Sequence, residues 1–587
     1  MTLTKKSKNK TIPYIKTIMT ATLLIFIIFS AFYTLGSALS YINAFNQIFG
    51  EQLYVDNSEF MEGNATRLME FAHKFEKIKS TYHFPENLTG DGWDYYPCLQ
   101  VNYDVKPSDY GIVNRTTYLE AVDYNPFNTS HPANTIKEFT GFGHAICFAG
   151  KFAIGDAFRY AAYQREKNRT GMEETKETLI KTVKAFSLLS EISDDGSMAR
   201  YVYPDTPKAR KYIDAWRFES EWGNYHLVVR RNFTRPNGKN YTFCCETGTS
   251  VDCYSGCYMG LGYIYKMCND TEVRGLIRQA VDRMLTYHVN SGWKFIDADG
   301  KTHPKGAEAL NAYPITDSSY TITFLRIGKT VHPEKWGPLY DDYVYNRLLS
   351  KMVGKHAQWD YYQMFPWGGR YFNVHLAISL AGTLCFFEDN EQLRNYYQEH
   401  FMESLWKGVK YHRNPWFELL YLLSYMEFTS KSYESLIYEF SLGKVPIEIQ
   451  QYIELETTDT LMRMSLRKYP PRRFDHPNGL DSYIDNPQWS PIPGAPYPEV
   501  ELFDWEKHVN MDNFIIQTFS PLYHPEEMWS KPVPIDWRSC DEWMWNDSPF
   551  KTEQNDGNGV AETTGGSYLN PYWIGRYLGF NSLIIDC

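Results

Sequence analysis

The sequence predicts a mainly helical protein, an (α/α) toroid of helical hairpins with an N-terminal membrane helix and irregular, β-containing extensions. Three observations support this prediction. Apolar residues recur at helical spacing in successive pairs of segments, short polar turns join the two members of a pair, and long irregular stretches separate the pairs. An open solenoid is the alternative, but its repeats are expected to be more uniform in length.

The N-terminus predicts a membrane anchor. Five lysines precede an apolar run from about Ile18 to Leu39, and the next basic residue is Arg67. Because basic residues favour the cytoplasmic side and the run can span a bilayer, we expect a cytoplasmic tail over 1–16 and a signal anchor over 17–40. The chain is then a single-pass type II protein of the Golgi, secretory pathway or cell surface. A cleaved signal peptide, and hence a secreted protein, is the alternative.

Sequons and cysteines support export. Eight Asn-Xaa-Ser/Thr sequons are typical of a secretory glycoprotein: Asn64, Asn87, Asn114, Asn128, Asn168, Asn232, Asn240 and Asn269. Ten cysteines fit the same compartment, and half of them crowd one stretch. Disulfides that brace this loop are the preferred interpretation, while a zinc site is disfavoured because no CxxC pair occurs. The crowded cysteines are Cys244, Cys245, Cys253, Cys257 and Cys268.

The extracytoplasmic part is expected to have three regions. A stem helix near Asn57 to Ser80 and a strand-and-loop extension make up 41–140. The toroid covers 141–468, and a proline- and aromatic-rich segment over 469–587 wraps it. The toroid's predicted helix pairs are 141–166 with 172–192, 254–268 with 273–288, 317–328 with 339–354, 371–388 with 391–413, and 416–428 with 447–466.

The second of these pairs carries a family resemblance. Its features are the small-residue helix from Tyr258 to Tyr265, the turn at Asn269, and the acid-bearing loop Asp252-Cys-Tyr-Ser-Gly256 before the helix. This pattern resembles the six-hairpin glycosidase-like superfamily over about 141–466. The resemblance implies carbohydrate chemistry, either glycoside hydrolysis, polysaccharide lysis or sugar and uronate epimerisation, by analogy of fold alone.

Acidic loops supply candidate residues for glycoside hydrolysis, which needs a general acid and a second carboxylate. Glu246 and Asp252 precede the helix of the second pair, and Asp214 and Glu221 lie on the preceding loop. Each acid taken alone can equally be a helix cap or a surface charge. The tryptophans beside the earlier acids, which can stack on a sugar ring, are Trp216 and Trp222.

Lyase or epimerase chemistry needs a base and a group that neutralises a uronate. Arg217, His226 and Tyr254 are the candidates. A second group of sugar-binding residue types lies farther along the chain, with a packed aromatic loop as the alternative interpretation. It consists of Trp359, Trp367, Arg370 and His375.

The sequence therefore predicts a carbohydrate-active enzyme, first a glycoside hydrolase and second a lyase or epimerase. The expected partners are an oligo- or polysaccharide and the membrane. The formal net charge of −11 disfavours nucleic acid, and no cofactor or metal motif is present. A non-catalytic glycan-binding membrane glycoprotein is the alternative from a different functional class.

Overall fold

The structure, a computed structural model, describes only part of the chain. No helix within the described ranges is both long and apolar enough to cross a membrane, and the predicted anchor at 17–40 lies outside them. The described residues are 60–84, 100–104, 135–219, 221–222, 226–235, 238–296, 310, 314–364, 371–410, 412–428, 440–466, 472–474, 535, 543–546 and 558–584.

Helices dominate the described residues, which confirms the mainly α prediction. They are α1 Ala65–Ile78, α2 Ala145–Arg165, α3 Arg169–Glu191, α4 Ala209–Tyr212, α5 Val251–Met267, α6 Thr271–Asn290, α7 Pro314–Val331, α8 Pro333–Asp341, α9 Leu349–Met364, α10 Tyr371–Phe387, α11 Glu391–Tyr397, α12 Glu403–Val409, α13 Pro415–Ser424, α14 Ile447–Leu466 and α15 Gly566–Leu578.

Side-chain caps explain where several helices begin. Asn168 accepts a hydrogen bond from the backbone N–H of Gly171 at the start of α3. Asp270 accepts from Glu272 and Val273 at the start of α6. Such caps satisfy backbone donors that have no partner within the helix. The turn before α6 therefore begins the helix as the sequence predicts.

Six helices contact one another in a circuit. α2 packs on α5, α5 on α7, α7 on α10, α10 on α13, α13 on α15, and α15 on α2. Other helices lie against this set, with α3 on α2, α6 on α5, α8 and α9 on α7, and α14 on α13. The N-terminal helix α1 contacts both α15 and α14, so the two ends of the chain meet in one helical body.

The closest contact in the circuit joins α2 and α5, and glycines make it possible. A methyl group added to Gly150 would lie 1.9 Å from the carbonyl oxygen of Gly256, and one added to Gly256 would lie 2.3 Å from that of Cys147. Farther along, the Tyr160 hydroxyl donates to Asn269 at 2.9 Å. The contacts advance in the same direction along both helices, so α2 and α5 run parallel and their N-termini lie at the same end.

Two four-stranded antiparallel sheets flank the helices. One has the order β2-β1-β10-β9 and joins the predicted extension to the C-terminal segment. The other has the order β3-β6-β5-β4 and carries the predicted catalytic loops. The strands are β1 Gln100–Tyr103, β2 Ile136–Thr140, β3 Tyr201–Pro204, β4 Glu221–Trp222, β5 His226–Thr234, β6 Asn240–Glu246, β9 Arg472–Phe474 and β10 Asn558–Thr563, with β7 Glu427–Phe428 and β8 Phe440–Ser441 as a separate pair.

The helical body extends beyond the predicted limits of 141–468. The Trp573 indole in α15 donates to Glu76 of α1 at 2.7 Å, and the Tyr568 hydroxyl donates to the Leu68 carbonyl at 2.8 Å. The stem helix and the end of the C-terminal segment therefore belong to the main body, because each buries an apolar face against the other.

The cysteines depart from the disulfide prediction. All seven described cysteines are buried free thiols: Cys147, Cys244, Cys245, Cys253, Cys257, Cys268 and Cys385. Cys244 and Cys245 are neighbours on β6, where successive side chains point to opposite faces. The expected brace within residues 244–268 is thus absent from the described part of the chain, and Cys98, Cys540 and Cys587 lie outside it.

Candidate functional site

Glu246, the last residue of β6, has a completely buried side chain. Its position opposite Tyr201 and Val228 in the sheet directs it into the interior. Oε1 accepts a hydrogen bond from Arg217 Nη1 at 2.7 Å, while Oε2 has no hydrogen-bond partner among the described residues. Burial raises the pKa of the Glu246 carboxyl, and the nearby Arg217 charge opposes this rise. The net rise favours the protonated acid.

Arg217 is held firmly beside that acid. Its guanidinium lies 4.5 Å from the Phe142 ring centre and 4.4 Å from that of Trp216, a cation–π arrangement. The Trp216 indole N–H donates to the Asp214 carboxylate at 3.1 Å. Trp216 remains 39% exposed, so its ring offers a stacking surface. The structure thus brings Asp214, Trp216, Arg217 and Glu246 into one cluster.

Asp252 stands in the first turn of α5 and is 9% exposed. No hydrogen bond or ion pair to its carboxylate occurs within the described residues. The loop before it is braced, because Arg200 donates to the carbonyls of Gly143 and Gly248 at 2.6 Å each. Asp252 also lies near Cys147, since its charge contributes to raising the pKa of that thiol, an effect due mainly to burial. A carboxylate here is stabilised by the positive end of the helix.

His375 lies in the second turn of α10 and is completely buried. Nε2 accepts from the Trp543 indole at 2.9 Å, and Nδ1 has no partner among the described residues. Burial, together with the charge of Lys151, lowers the pKa of His375 well below its ordinary value. The ring is therefore neutral and close to a buried lysine.

Lys151 on α2 was not predicted from the sequence. Its side chain is completely buried, and Nζ lies 3.2 Å from the Cys147 thiol and 5.1 Å from the Phe148 ring centre. No carboxylate pairs with it in the described part of the chain. Lys151 and Cys147 lie between Asp252 and His375, within the first two turns of α2, α5 and α10. In the sequence, Lys151 is distinguished by its position as a lysine within an apolar, small-residue helix.

Tyr254 is not placed for ligand binding. It is buried and accepts a hydrogen bond from the Met198 backbone N–H at 3.0 Å. Its ring packs against Phe295, with centres 4.9 Å apart, and against His288 at 4.6 Å. These contacts favour a role in the core, since the Tyr254 side chain points into the protein interior.

Six predicted residues have side chains, or whole residues, outside what the structure describes. Trp222 pairs with His226 between β4 and β5, and Glu221 pairs with Leu227, but only their backbones are described. Trp359 lies within α9, again with an undescribed side chain. Trp367 and Arg370 lie outside the described residues. These site predictions remain predictions.

The candidate site shows neither a metal-binding group among the described residues nor a match to a known protein. Among the described residues, no three His, Cys, Asp or Glu side chains form a group that could hold a metal ion. A scan against protein-family models, a search of curated proteins and a search of solved structures each gave no match. The functional argument therefore depends on the residues themselves.

Proposed function

We propose that the circuit of α2, α5, α7, α10, α13 and α15 is the inner ring of an (α/α) toroid. The contacts that lead from α2 around to α15 and back support this proposal. The helices packed against the circuit form the outer ring, with α1 as the partner of α15. On this proposal the resemblance to the six-hairpin glycosidase-like superfamily extends to 65–578, beyond the range of the sequence pattern.

On this scaffold we propose a carbohydrate-active enzyme, specifically a glycoside hydrolase of the secretory pathway or cell surface that is anchored by residues 17–40. The observation that carries the proposal is the placement of buried Glu246 beside Arg217 and the partly exposed Trp216. The raised pKa of the Glu246 carboxyl agrees with it, because a glycosidase acid must hold its proton until it reaches the leaving group. Asp252 supplies the second carboxylate, and Trp216 a stacking surface. Complete burial of Glu246 means that sugar access requires movement of the surrounding loops.

The test is turnover of an oligosaccharide panel with product analysis. Glu246→Gln and Asp252→Asn should each abolish turnover, while circular dichroism and thermal unfolding show a folded protein. Glu173→Gln, an exposed change on α3, is the matched control and should retain full activity. Turnover by both site variants would refute the paired-carboxylate mechanism. Glycan binding without any turnover would favour the non-catalytic alternative.

A lyase or epimerase is the second candidate, and Lys151 with His375 favours it. A buried ammonium can neutralise a uronate, and the Nδ1–H of His375, whose Nε2 accepts from the Trp543 indole, can donate a hydrogen bond to the same carboxylate. The products discriminate the reactions. A hydrolase creates a new reducing end, a lyase leaves a carbon–carbon double bond that absorbs ultraviolet light, and an epimerase exchanges the C5 proton with deuterated solvent.

A further inference from the structure

A cleft of about 350 Å³ opens beside α2, between α1 and α3. It lies at the seam where the N-terminal helix meets the first predicted hairpin. The volume suits a small molecule, since ligand pockets begin near 300 Å³. None of its lining residues belongs to the clusters around Glu246, Asp252 or His375, so it is separate from the candidate catalytic site.

Two buried cations line the cleft. Arg159 and Lys79 are 6% and 4% exposed. Arg159 Nη2 lies 3.0 Å from the Glu76 carboxylate, and Lys79 Nζ lies 2.6 Å from that of Asp156. These pairs fix the two cations in place before any ligand arrives, and such preorganisation reduces the entropy lost on binding.

The carboxylate of Glu76 is already occupied by its neighbours. Oε1 accepts from the Trp573 indole at 2.7 Å, and Oε2 lies near both Arg159 and, at 3.3 Å, His73. It therefore offers little repulsion to an incoming anion. Lys77 and Lys181 add positive charge to the lining, which also contains Glu177 and Glu174, and the Glu174 carboxylate lies 4.0 Å from Arg159 Nη2. The four lining cations exceed the three lining carboxylates by one charge, and Lys77 is exposed without an ion-pair partner among the described residues.

The end of α1 gives the cleft an unusual local geometry. The helix passes into a π-helical turn over Lys79–His83, and such turns are rare and frequent at functional sites. Lys79 and Ser80 of this turn line the cleft, opposite Thr178 and Glu177 of α3. Hydroxyl and carboxylate groups of this kind exchange hydrogen bonds with sugar hydroxyls.

We propose that this cleft binds a small sugar that carries an anionic group, whether phosphate, sulfate or carboxylate. The anionic group lies against Arg159, Lys77 and Lys181. The sugar hydroxyls hydrogen-bond to Ser80 and Thr178. A ligand held this way joins α1 to α2 and α3, and so stabilises the seam between the N-terminal helix and the rest of the body.

Calorimetric titration of the full-length protein tests the proposal with five probes: glucose 6-phosphate, glucose 6-sulfate, glucuronate, glucose and inorganic phosphate. At least one anionic sugar should bind ten-fold or more tightly than glucose and than inorganic phosphate, with affinity that falls as salt rises. Equal binding of glucose would refute the role of charge. Equal binding of inorganic phosphate would refute sugar recognition, and binding of none of the five would refute the site.

Variants locate the binding. The double variant Lys77→Gln/Lys181→Gln should weaken the binding of the best anionic sugar at least ten-fold. These two lysines are chosen in place of Arg159, because Arg159→Gln would leave the Glu76 carboxylate buried without its cation and would destabilise the fold. Lys208→Gln, an exposed lysine outside the cleft, should leave affinity unchanged. Asp252→Asn should also bind normally, whatever its effect on turnover. Loss of binding in Asp252→Asn, or its persistence in the double variant, would overturn the assignment.

Discussion

Two buried lysines occupy opposite ends of the parallel helices and differ in their partners. Near the C-terminus of α5, Lys266 donates to the Phe386 carbonyl at 2.6 Å and faces the rings of Phe386, Phe387 and Phe428 at 4.4 to 5.0 Å. Near the N-terminus of α2, the Lys151 ammonium has the Cys147 thiol as its hydrogen-bond partner and the Phe148 ring as its cation–π partner, and no carboxylate pairs with it among the described residues.

The polar groups around the two lysines also differ in how many partners they have. Close to Lys266, Arg326 forms ion pairs with Asp389 at 2.5 Å and Glu388 at 3.8 Å. Close to Lys151, His375 keeps one ring nitrogen without a partner among the described residues. Buried polar groups normally find partners. The difference indicates that the end where carboxylates accompany the buried cations serves the fold, whereas the end where Lys151 has no carboxylate among the described residues is the better candidate for chemistry.

Replacement of Lys151 tests this contrast most strongly. Lys151→Met keeps the length of the side chain and removes the amine, so turnover should fall about 1,000-fold if the amine acts in proton transfer. The free energy of unfolding should stay equal or rise, because no carboxylate loses its partner. Steady-state kinetics and urea unfolding measure the two effects. Full activity in Lys151→Met would remove the functional half of the comparison.

The glycine contact that aligns the N-termini of α2 and α5 is the next point to break. Gly256→Ala should reduce the free energy of unfolding by about 3 kcal/mol, because the new methyl group meets the Cys147 backbone and overpacks the contact. Gly275→Ala in α6, where nothing lies within 4 Å of the added methyl, should be neutral or stabilising. Equal urea midpoints for both variants would contradict the structure.

Lys266 predicts a distinct dependence of stability on pH. Burial lowers its pKa from 10.5 to about 7, with smaller effects from Asp389 and Arg326. The unfolded chain binds more protons between these values, so stability should rise as pH increases from 7 toward 10.5, by about 2 kcal/mol between pH 7 and 9. Lys266→Met should remove this rise without loss of turnover. If stability depends on pH in the same way in the variant, the Lys266 ammonium is more solvated than its burial among Phe386, Phe387 and Phe428 suggests.

His288 provides a control for the comparison, because its ring nitrogens are buried without hydrogen-bond partners among the described residues, yet it lies outside the candidate site. Both ring nitrogens have no hydrogen-bond partner among the described residues, and burial lowers the pKa of the ring to about 3. Its contribution to stability is therefore complete above pH 6.5 and is lost as pH falls from 6.5 toward 3, by about 1 kcal/mol at pH 5.5. In His288→Leu, the unfolding temperature should fall less steeply below pH 6.5 than in the unsubstituted protein, and turnover should be unchanged. A loss of turnover would mean that missing partners alone mark function.

Local patterns in the sequence determined most of the secondary structure. The apolar spacing from Val273 to His288 predicted the buried face of α6, and the turn at Asn269 predicted where the helix begins, because both signals depend on residues a few positions apart. The sequence also singled out Asp214, Trp216, Arg217 and Glu246, which the structure brings together. The proximity of Asp214, Trp216 and Arg217 was predictable because they lie within four residues of one another on one loop.

Tertiary structure alone decided which of these groups are paired and which segments meet. The Arg217–Glu246 contact, the burial of Tyr254 and the contact of α1 with α15 each join positions whose local patterns carry no information about the other. The importance of Lys151 likewise depends on His375, which a distant helix places near it. Which remote segments contact each other is set by how the whole helical body packs, and helical periodicity carries no information about it.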